Sequence, residues 1–159
     1  MIRGVLVGDD KLKAWMATRY PEMEKGVQTS MARLVISLAR KIKEEKLSGQ
    51  VLKNQTGRLR RSITPNIRGM GTQIVGEVGT NVEYAAIHEY GGKTPPHEIL
   101  PKRGRALAFM MGGKQVIVRK VNHPGSKMPE RSFMRTALKE MEPEIRASFE
   151  NAISQVIRA

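Results

Sequence analysis

Apolar residues recur with a helical period at both ends of the chain. Two stripes with a spacing near 3.6 residues predict a long N-terminal helix, ending near Leu47, and a C-terminal helix over 130–157. The N-terminal stripe comprises Met23, Val27, Met31, Leu34, Val35, Leu38 and Ile42, and the C-terminal stripe comprises Met134, Leu138, Met141, Ile145, Phe149, Ala152 and Val156. We expect the N-terminal helix to be a core helix.

Two prolines interrupt the helical patterns. Pro21 separates a short apolar segment (Leu12, Trp15, Met16 and Tyr20) from the long N-terminal stripe. It is expected to end or kink a helix there, or to start the next one. Pro143 lies inside the C-terminal pattern, where we expect a kink or a restart.

Between the helices, short extended segments alternate with turns. Segments 63–67 and 72–78 predict one β-hairpin, and segments 106–111 and 115–121 predict a second one. The order of elements is helix, hairpin, short helix, hairpin, helix. It predicts an α+β fold in which the two long helices pack on a mostly antiparallel sheet built from two hairpins.

The length and the proline-rich stretches complete this picture. A chain of 159 residues is expected to form a single domain, 1–159. The stretches 93–104 and 122–129 contain five of the eight prolines, counting Pro95, Pro96, Pro101, Pro124 and Pro129, and are predicted to be extended loops.

The stretch 82–92, VEYAAIHEYGG, contains two of the three tyrosines, Tyr84 and Tyr90. Its spacing predicts a short helix ended by Gly91-Gly92. The first interpretation is that the tyrosines fill the core of a small domain, and the alternative is that they lie where the core meets an interface. With Phe133, they are predicted to anchor the short helix and the C-terminal helix to the sheet.

The charge of the chain is strongly positive and localised. The net charge is +13, and two stretches without acids, 46–76 and 99–129, contain six and seven basic residues and so account for the whole excess. Such a field suits a polyanion or an acidic protein surface. The residues predicted to face DNA or an acidic neighbour are Arg58, Arg60, Arg61, Lys102, Arg103 and Arg105. The alternative is a solvated basic face.

Residues that could perform catalysis are scarce. The chain has no cysteine, its three histidines lie outside metal-motif spacing, and no phosphate-binding loop or nucleophile elbow is present. We therefore expect no enzyme activity, no metal and no cofactor. The opening lacks the apolar length of a secretory signal, and no apolar run approaches membrane-spanning length. A soluble protein of a cytoplasm, without membrane contact, is expected.

Three blocks in this order resemble a known family. They are TGRLRRSI (56–63), VEYAAIHEYGG (82–92) and PERSFMRTALKEMEPEI (129–145). Together they resemble the tail-completion, or virion-morphogenesis, proteins of long-tailed bacteriophages. The order and rough spacing of the blocks match along nearly the whole chain.

The resemblance implies a structural protein without a catalytic site at the head–tail junction of the virion. There it would complete the top of the tail and enable head–tail joining, after assembly in the host cytoplasm. The implied partners are other copies in a ring, which a hexamer would match to the tail tube, together with tail-terminator or tail-tube proteins and head-closure or connector proteins. Phage DNA in the lumen is a further implied contact. The alternatives are a head-closure component on the portal side and a non-specific nucleic-acid-binding protein.

Overall fold

The structure is a computed structural model that describes residues 9–52, 56–69, 73–102 and 104–158. These residues form two compact units. We call the first the helical unit (Met1–Glu83 with Phe133–Ala159) and the second the ribbon unit (Tyr84–Ser132). The fold class is α+β, as predicted, whereas the single-domain organisation stays a prediction.

The helical unit contains three α-helices and one hairpin. Helix α1 (Asp9–Lys41) continues directly into a π-helical segment (Ile42–Gln50), and the short α2 (Arg58–Ser62) follows. Strands β1 (Thr64–Arg68) and β2 (Val75–Gly79) pair antiparallel, and α4 (Met134–Arg158) completes the unit. Helix α1 packs against α4 and against both strands. The first predicted hairpin is confirmed, although part of its turn, 70–72, lies outside the described residues.

The core of the helical unit lies where the two stripes meet the hairpin. Its members are Leu34, Val35, Ala39, Ile42, Leu47, Leu52, Ile63, Val82, Phe133, Ala137 and Met141. In the second half of the N-terminal stripe, Leu34, Val35 and Ile42 are therefore buried as predicted, and Leu38 is half-buried. The first half of α1 is different, because Leu12, Trp15, Met16 and Tyr20 are 43–56% exposed. In α4, Leu138 of the predicted stripe is half exposed.

Helices α1 and α4 continue through their prolines. Neither Pro21 nor Pro143 ends a helix, so an end or a new start at Pro21 and a restart at Pro143 are wrong, whereas a kink at either proline stays a prediction. A proline leaves one carbonyl, four residues earlier, without a helical donor. Here those carbonyls belong to Ala17 and Lys139, and both residues are exposed. Water can satisfy them, so the helix can tolerate the loss.

The π-helical segment ends the first helical run just past the predicted position. The backbone N–H groups of Val51 and Leu52 both donate to the carbonyl of Lys46, at 3.2 and 3.1 Å. Gly49 has a φ of +135°, which L side chains rarely adopt. The helical backbone geometry is therefore interrupted at Gly49, close to the predicted end near Leu47.

A cluster of charged side chains ties this segment to α4. The Nζ of Lys46, which is buried, lies 2.6 Å from Oε1 of Glu140, and the Nζ of Lys41 lies 3.2 Å from Oε2. Lys41 also pairs with Glu45 at 3.0 Å. The hydrogen bond from Lys46 and then the one from Lys41 hold the pKa of Glu140 below its usual value. The same carboxylate thus offsets the buried Lys46 ammonium.

Replacing Glu140 by Gln is expected to make the free energy of unfolding depend less on pH in the acidic range. A carboxyl whose folded pKa is depressed contributes stability above its unfolded pKa, about 4.3, and loses it as pH falls through the folded pKa. E140Q should therefore be less stable than wild type at pH 7, and the gap should shrink as pH falls below about 4. Urea titrations between pH 7 and pH 3 measure this.

The matched control is E142Q, since Glu142 contacts Arg146 only at 3.9 Å with both side chains mostly exposed. It should unfold like wild type throughout the pH series. An E140Q deficit that stays constant from pH 7 to pH 3 would contradict the assignment.

The ribbon unit consists of one short helix and three nested strand pairs. Helix α3 (Ala85–Tyr90) comes first, and all the strand pairs are antiparallel. The strands are β3 (Gly92–Lys93), β4 (His97–Ile99), β5 (Leu107–Met111), β6 (Lys114–Val118), β7 (Val121–His123) and β8 (Lys127–Met128). Strand β3 pairs with β8, β4 with β7, and β5 with β6. Among the described residues, the strands of the two units therefore form four separate two-stranded pairs instead of one sheet.

For the ribbon unit, one sequence prediction is confirmed and another is wrong in part. The second hairpin, β5–β6, is confirmed, and Gly112-Gly113 forms its turn with φ values of +59° and +78°. The prediction that 93–104 and 122–129 are loops without regular structure is wrong in part, since β4, β7 and β8 lie in or next to them. The reason is that Pro95, Pro96 and Pro101 flank β4 without entering it, so no strand donor is lost.

Candidate interaction surfaces

The arginines of the first block lie on α2. Arg58, Arg60 and Arg61 are exposed, while Leu59 is half buried and Ile63 is fully buried, as the i, i+4 spacing predicted. The Nη2 of Arg61 donates to the carbonyl of Thr56 at 3.1 Å. The helix thus presents three guanidinium groups to solvent within five residues.

A hydroxyl contact fixes this short helix to the hairpin. The Oγ of Ser62 and the Oγ1 of Thr80 lie 2.6 Å apart, and the Thr80 hydroxyl also accepts from the backbone N–H of Val82 at 3.2 Å. The three arginines therefore lie on a helix whose position in the helical unit is fixed by this contact.

The second predicted basic group belongs to the ribbon unit. Lys102 and Arg105 are exposed, and Arg103 lies outside the described residues. Lys120 pairs with Glu98 at 2.7 Å, and this hydrogen bond raises the pKa of Lys120 above its usual value. The other exposed lysines and arginines of the unit are Lys93, Lys114, Arg119, Lys127 and Arg131. The structure thus places the predicted basic residues on two separate units, each with its own positive surface.

The β5–β6 hairpin exposes large apolar side chains, which the sequence analysis did not identify as a surface. Met110 and Met111 are each 68% exposed, Ile117 is 65% exposed and Phe109 is 39% exposed. A signal was present in the sequence, because ALAFMM is an apolar run without the alternation of a half-buried strand. We name the surface formed by β5 and β6 the ribbon surface.

The three predicted anchors have different environments. Phe133 is completely buried, whereas Tyr84 is 40% exposed and Tyr90 is 65% exposed. The interpretation of the two tyrosines as core residues is therefore wrong. The helical spacing was correct, but the buried side of α3 is formed by Ala85 and Glu89 instead. The proposed anchoring role of the tyrosines at an interface stays a prediction.

Glu89 is the residue of the second block whose role the sequence did not reveal. It is 4% exposed, and its Oε1 accepts a hydrogen bond from the Oγ of Ser132 at 2.7 Å. Next to it, the backbone N–H of Arg131 donates to the carbonyl of His88 at 2.8 Å. The second and third blocks are thus joined by a buried carboxylate and a backbone hydrogen bond. This contact gives the buried acid at position 89 a structural partner.

Replacing Ser132 by Ala is expected to destabilise the protein by about 1–3 kcal/mol, because the buried carboxylate of Glu89 loses a donor. Urea unfolding of S132A measures the loss. The single variant E89A and the double variant E89A/S132A complete a double-mutant cycle, in which a hydrogen-bonded pair gives a non-additive result. Strictly additive losses would show that the two side chains do not stabilise each other.

Within the described ranges, no group of three or more His, Asp or Glu side chains is placed to hold a metal ion. In the same residues, no helix combines the length and the apolar character required to cross a bilayer. The candidate interaction sites in the described residues are therefore the exposed basic and apolar surfaces.

Comparison with known proteins agrees with the three blocks. The profile of the phage virion morphogenesis family matches residues 32–158, which include the last ten residues of α1, the whole ribbon unit and α4. No curated protein and no solved structure matches the chain. The match covers well over half of the sequence and both compact units. On this evidence, the chain belongs to the phage virion morphogenesis family.

Proposed function

We propose that this protein is a structural component of the head–tail junction, where it completes the top of the tail and enables the filled head to join it. The observation that carries the proposal is the family match over 32–158, because it includes all three blocks of the resemblance. A role in phage virion assembly follows from the family itself. The position at the junction is the further step proposed here.

The protein acts in this proposal as a subunit of a homo-oligomeric ring, with six copies to match the tail tube, and has no catalytic activity. A ring subunit needs separate surfaces for its neighbours and for the next ring. The exposed apolar residues at the start of α1, with Trp15 and Tyr20 among them, supply one surface, and the ribbon surface supplies another. Clustered exposed apolar side chains commonly mark protein contacts.

The proposed partners are the tail-terminator or tail-tube proteins on one side and the head-closure or connector proteins on the other. The arginines of α2 are proposed to face DNA in the lumen or an acidic neighbouring ring. Their support is local, in that Arg58, Arg60 and Arg61 are exposed on one short helix. Assembly takes place in the host cytoplasm, and the mature location is the virion.

Electron microscopy of lysates from a phage that lacks this gene tests the proposal. Half of each lysate receives the purified protein before imaging. We expect full heads beside unjoined tails, and joined virions after the protein is added. The tails' lengths and upper ends then distinguish tail completion from head closure, because a head-closure protein would leave the tails complete and the heads open. Normal joined virions without the gene would refute the proposal.

A further inference from the structure

We infer that the ribbon surface is the docking site for a different, acidic protein of the virion, which covers an apolar strip and adds opposite charge around it. The inference rests on the proposed function and names the chemistry of one partner. Its evidence comes from three properties of β5 and β6: their exposed faces, their open edges and their charged surroundings.

Both faces of the hairpin are apolar. Register places Phe109 opposite Val116 on one face, and it places Ala108 opposite Ile117 and Met110 opposite Gln115 on the other. Because alternate residues of a strand point to opposite faces, apolar side chains lie on both faces of this hairpin, and neither face is entirely polar. A two-stranded hairpin in water is marginally stable by itself. A covering partner would therefore both bury these side chains and stabilise the strands.

The edges of the hairpin are open as well. In the part of the chain that the structure describes, β5 pairs with β6 and with no other strand. Edge strands are usually protected by charges, prolines or bulges. The five residues of β5, Leu107–Met111, contain neither a charge nor a proline. Such an edge can accept an added strand from a partner through backbone hydrogen bonds.

Charge decides between a second copy and another protein. The ribbon unit has nine basic residues and three acids, a net charge of +6, and the helical unit has nineteen and twelve, a net charge of +7. Of the three acids, Glu89 is buried and Glu98 is paired with Lys120. A second copy has a net charge of +13 and would on average bring positive charge towards Arg105, Lys114 and Arg119. An acidic protein gains from the same contact.

Nucleic acid is also a poor occupant of this surface. Phosphates would suit the lysines and arginines, but they would leave Met110 and Ile117 without an apolar neighbour. Few aromatic side chains are available for base stacking, since Phe109 is the one aromatic residue in β5 and β6. The combination of an apolar centre and a basic rim is typical of protein–protein contacts.

The test compares two full-length variants of matched exposure. In M110T/I117T, threonine keeps the β propensity while the two exposed large apolar residues of one face lose their apolar groups. In I36A, the control, a side chain on α1 that is 61% exposed is truncated instead. The probes are tails and filled heads, each purified from the phage lacking this gene, and a duplex DNA. Binding is measured by co-sedimentation, and oligomeric state by analytical ultracentrifugation.

We expect wild type and I36A to bind tails or heads equally well and to restore joining. M110T/I117T should bind at least about tenfold more weakly, because residues at the centre of an interface contribute most of the binding energy. K114E should also bind more weakly, and the affinity of wild type should fall with added salt. Unfolding by urea should be the same for all variants, because the changed residues are exposed.

Each other outcome overturns a specific statement. Unchanged binding and joining by M110T/I117T would refute the docking role of the ribbon surface. A smaller oligomer for M110T/I117T would assign the surface to a second copy, and a loss confined to DNA binding would assign it to nucleic acid. If wild type itself binds neither particle and restores no joining, the proposed function fails, and the inference fails with it.

Discussion

Truncating Phe133 to Ala should cost about 3–5 kcal/mol of unfolding free energy, which is the usual range for a fully buried phenylalanine. Phe133 has no exposed surface and precedes the first residue of α4. Its removal leaves a cavity that rigid neighbours fill only in part. For a chain of this size the melting temperature should fall by roughly 6–20 °C. Thermal and urea unfolding followed by circular dichroism measure the effect.

The same truncation on the ribbon surface provides the control. Phe109 is 39% exposed on β5, so F109A should lower stability by roughly 1 kcal/mol or less. In the particle-binding assay the order should reverse, because Phe109 belongs to the proposed docking surface. If F133A and F109A lost equal stability, Phe133 would not be a core residue of the helical unit.

Adding a single methyl group at Gly76 should destabilise the protein by about 1–3 kcal/mol. A Cβ built at Gly76 comes closer than 3.0 Å to Cγ2 of Val35 and to Sδ of Met31 on α1. Met31 can move aside, but Val35 is buried and branched at Cβ, so its position is fixed by its neighbours. The glycine therefore sets how closely β2 approaches α1. Urea unfolding of G76A measures the loss.

Gly79 lies in the same strand and offers a matched comparison. A Cβ at Gly79 meets nothing within 4 Å, and neither glycine has a positive φ. G79A should therefore be neutral, or more stable by about 0.4–1 kcal/mol, because alanine reduces the freedom of the unfolded chain. Equal stabilities for G76A and G79A would show that α1 and β2 pack less closely than the structure describes.

The sequence predicted the elements that are set by local periodicity. Examples are the buried half of α1, α2 with Ile63 turned inward, and the hairpin around Gly112-Gly113. These depend on residues that are close in the chain. The strand β4 was missed because its pairing with β7 joins His97 to His123, and no local pattern reports such a contact.

The candidate surfaces were predicted only in part, for a related reason. Exposed arginines on α2 follow from one amphipathic turn, so their orientation could be predicted. Tyr84 and Tyr90 could not be placed by spacing alone, because the side of α3 that is buried depends on its distant neighbours. Glu89 is buried since Ser132 supplies a donor from far along the chain. An acid in a sequence does not indicate by itself where such a donor is.

The ends of the ribbon unit meet through the hydrogen bond from Arg131 to the carbonyl of His88 and the pairing of β3 with β8. For the folding of the helical unit, the ribbon unit is therefore an insertion whose ends are already closed. The entropic cost of closing this long loop therefore falls within the ribbon unit, as its strands pair one pair after another. Residues added in facing pairs beside Gly112-Gly113 would leave that closure unchanged. Each added pair would lengthen the hairpin by about 3.3 Å. The longer hairpin could contact a different partner without any change in the helices.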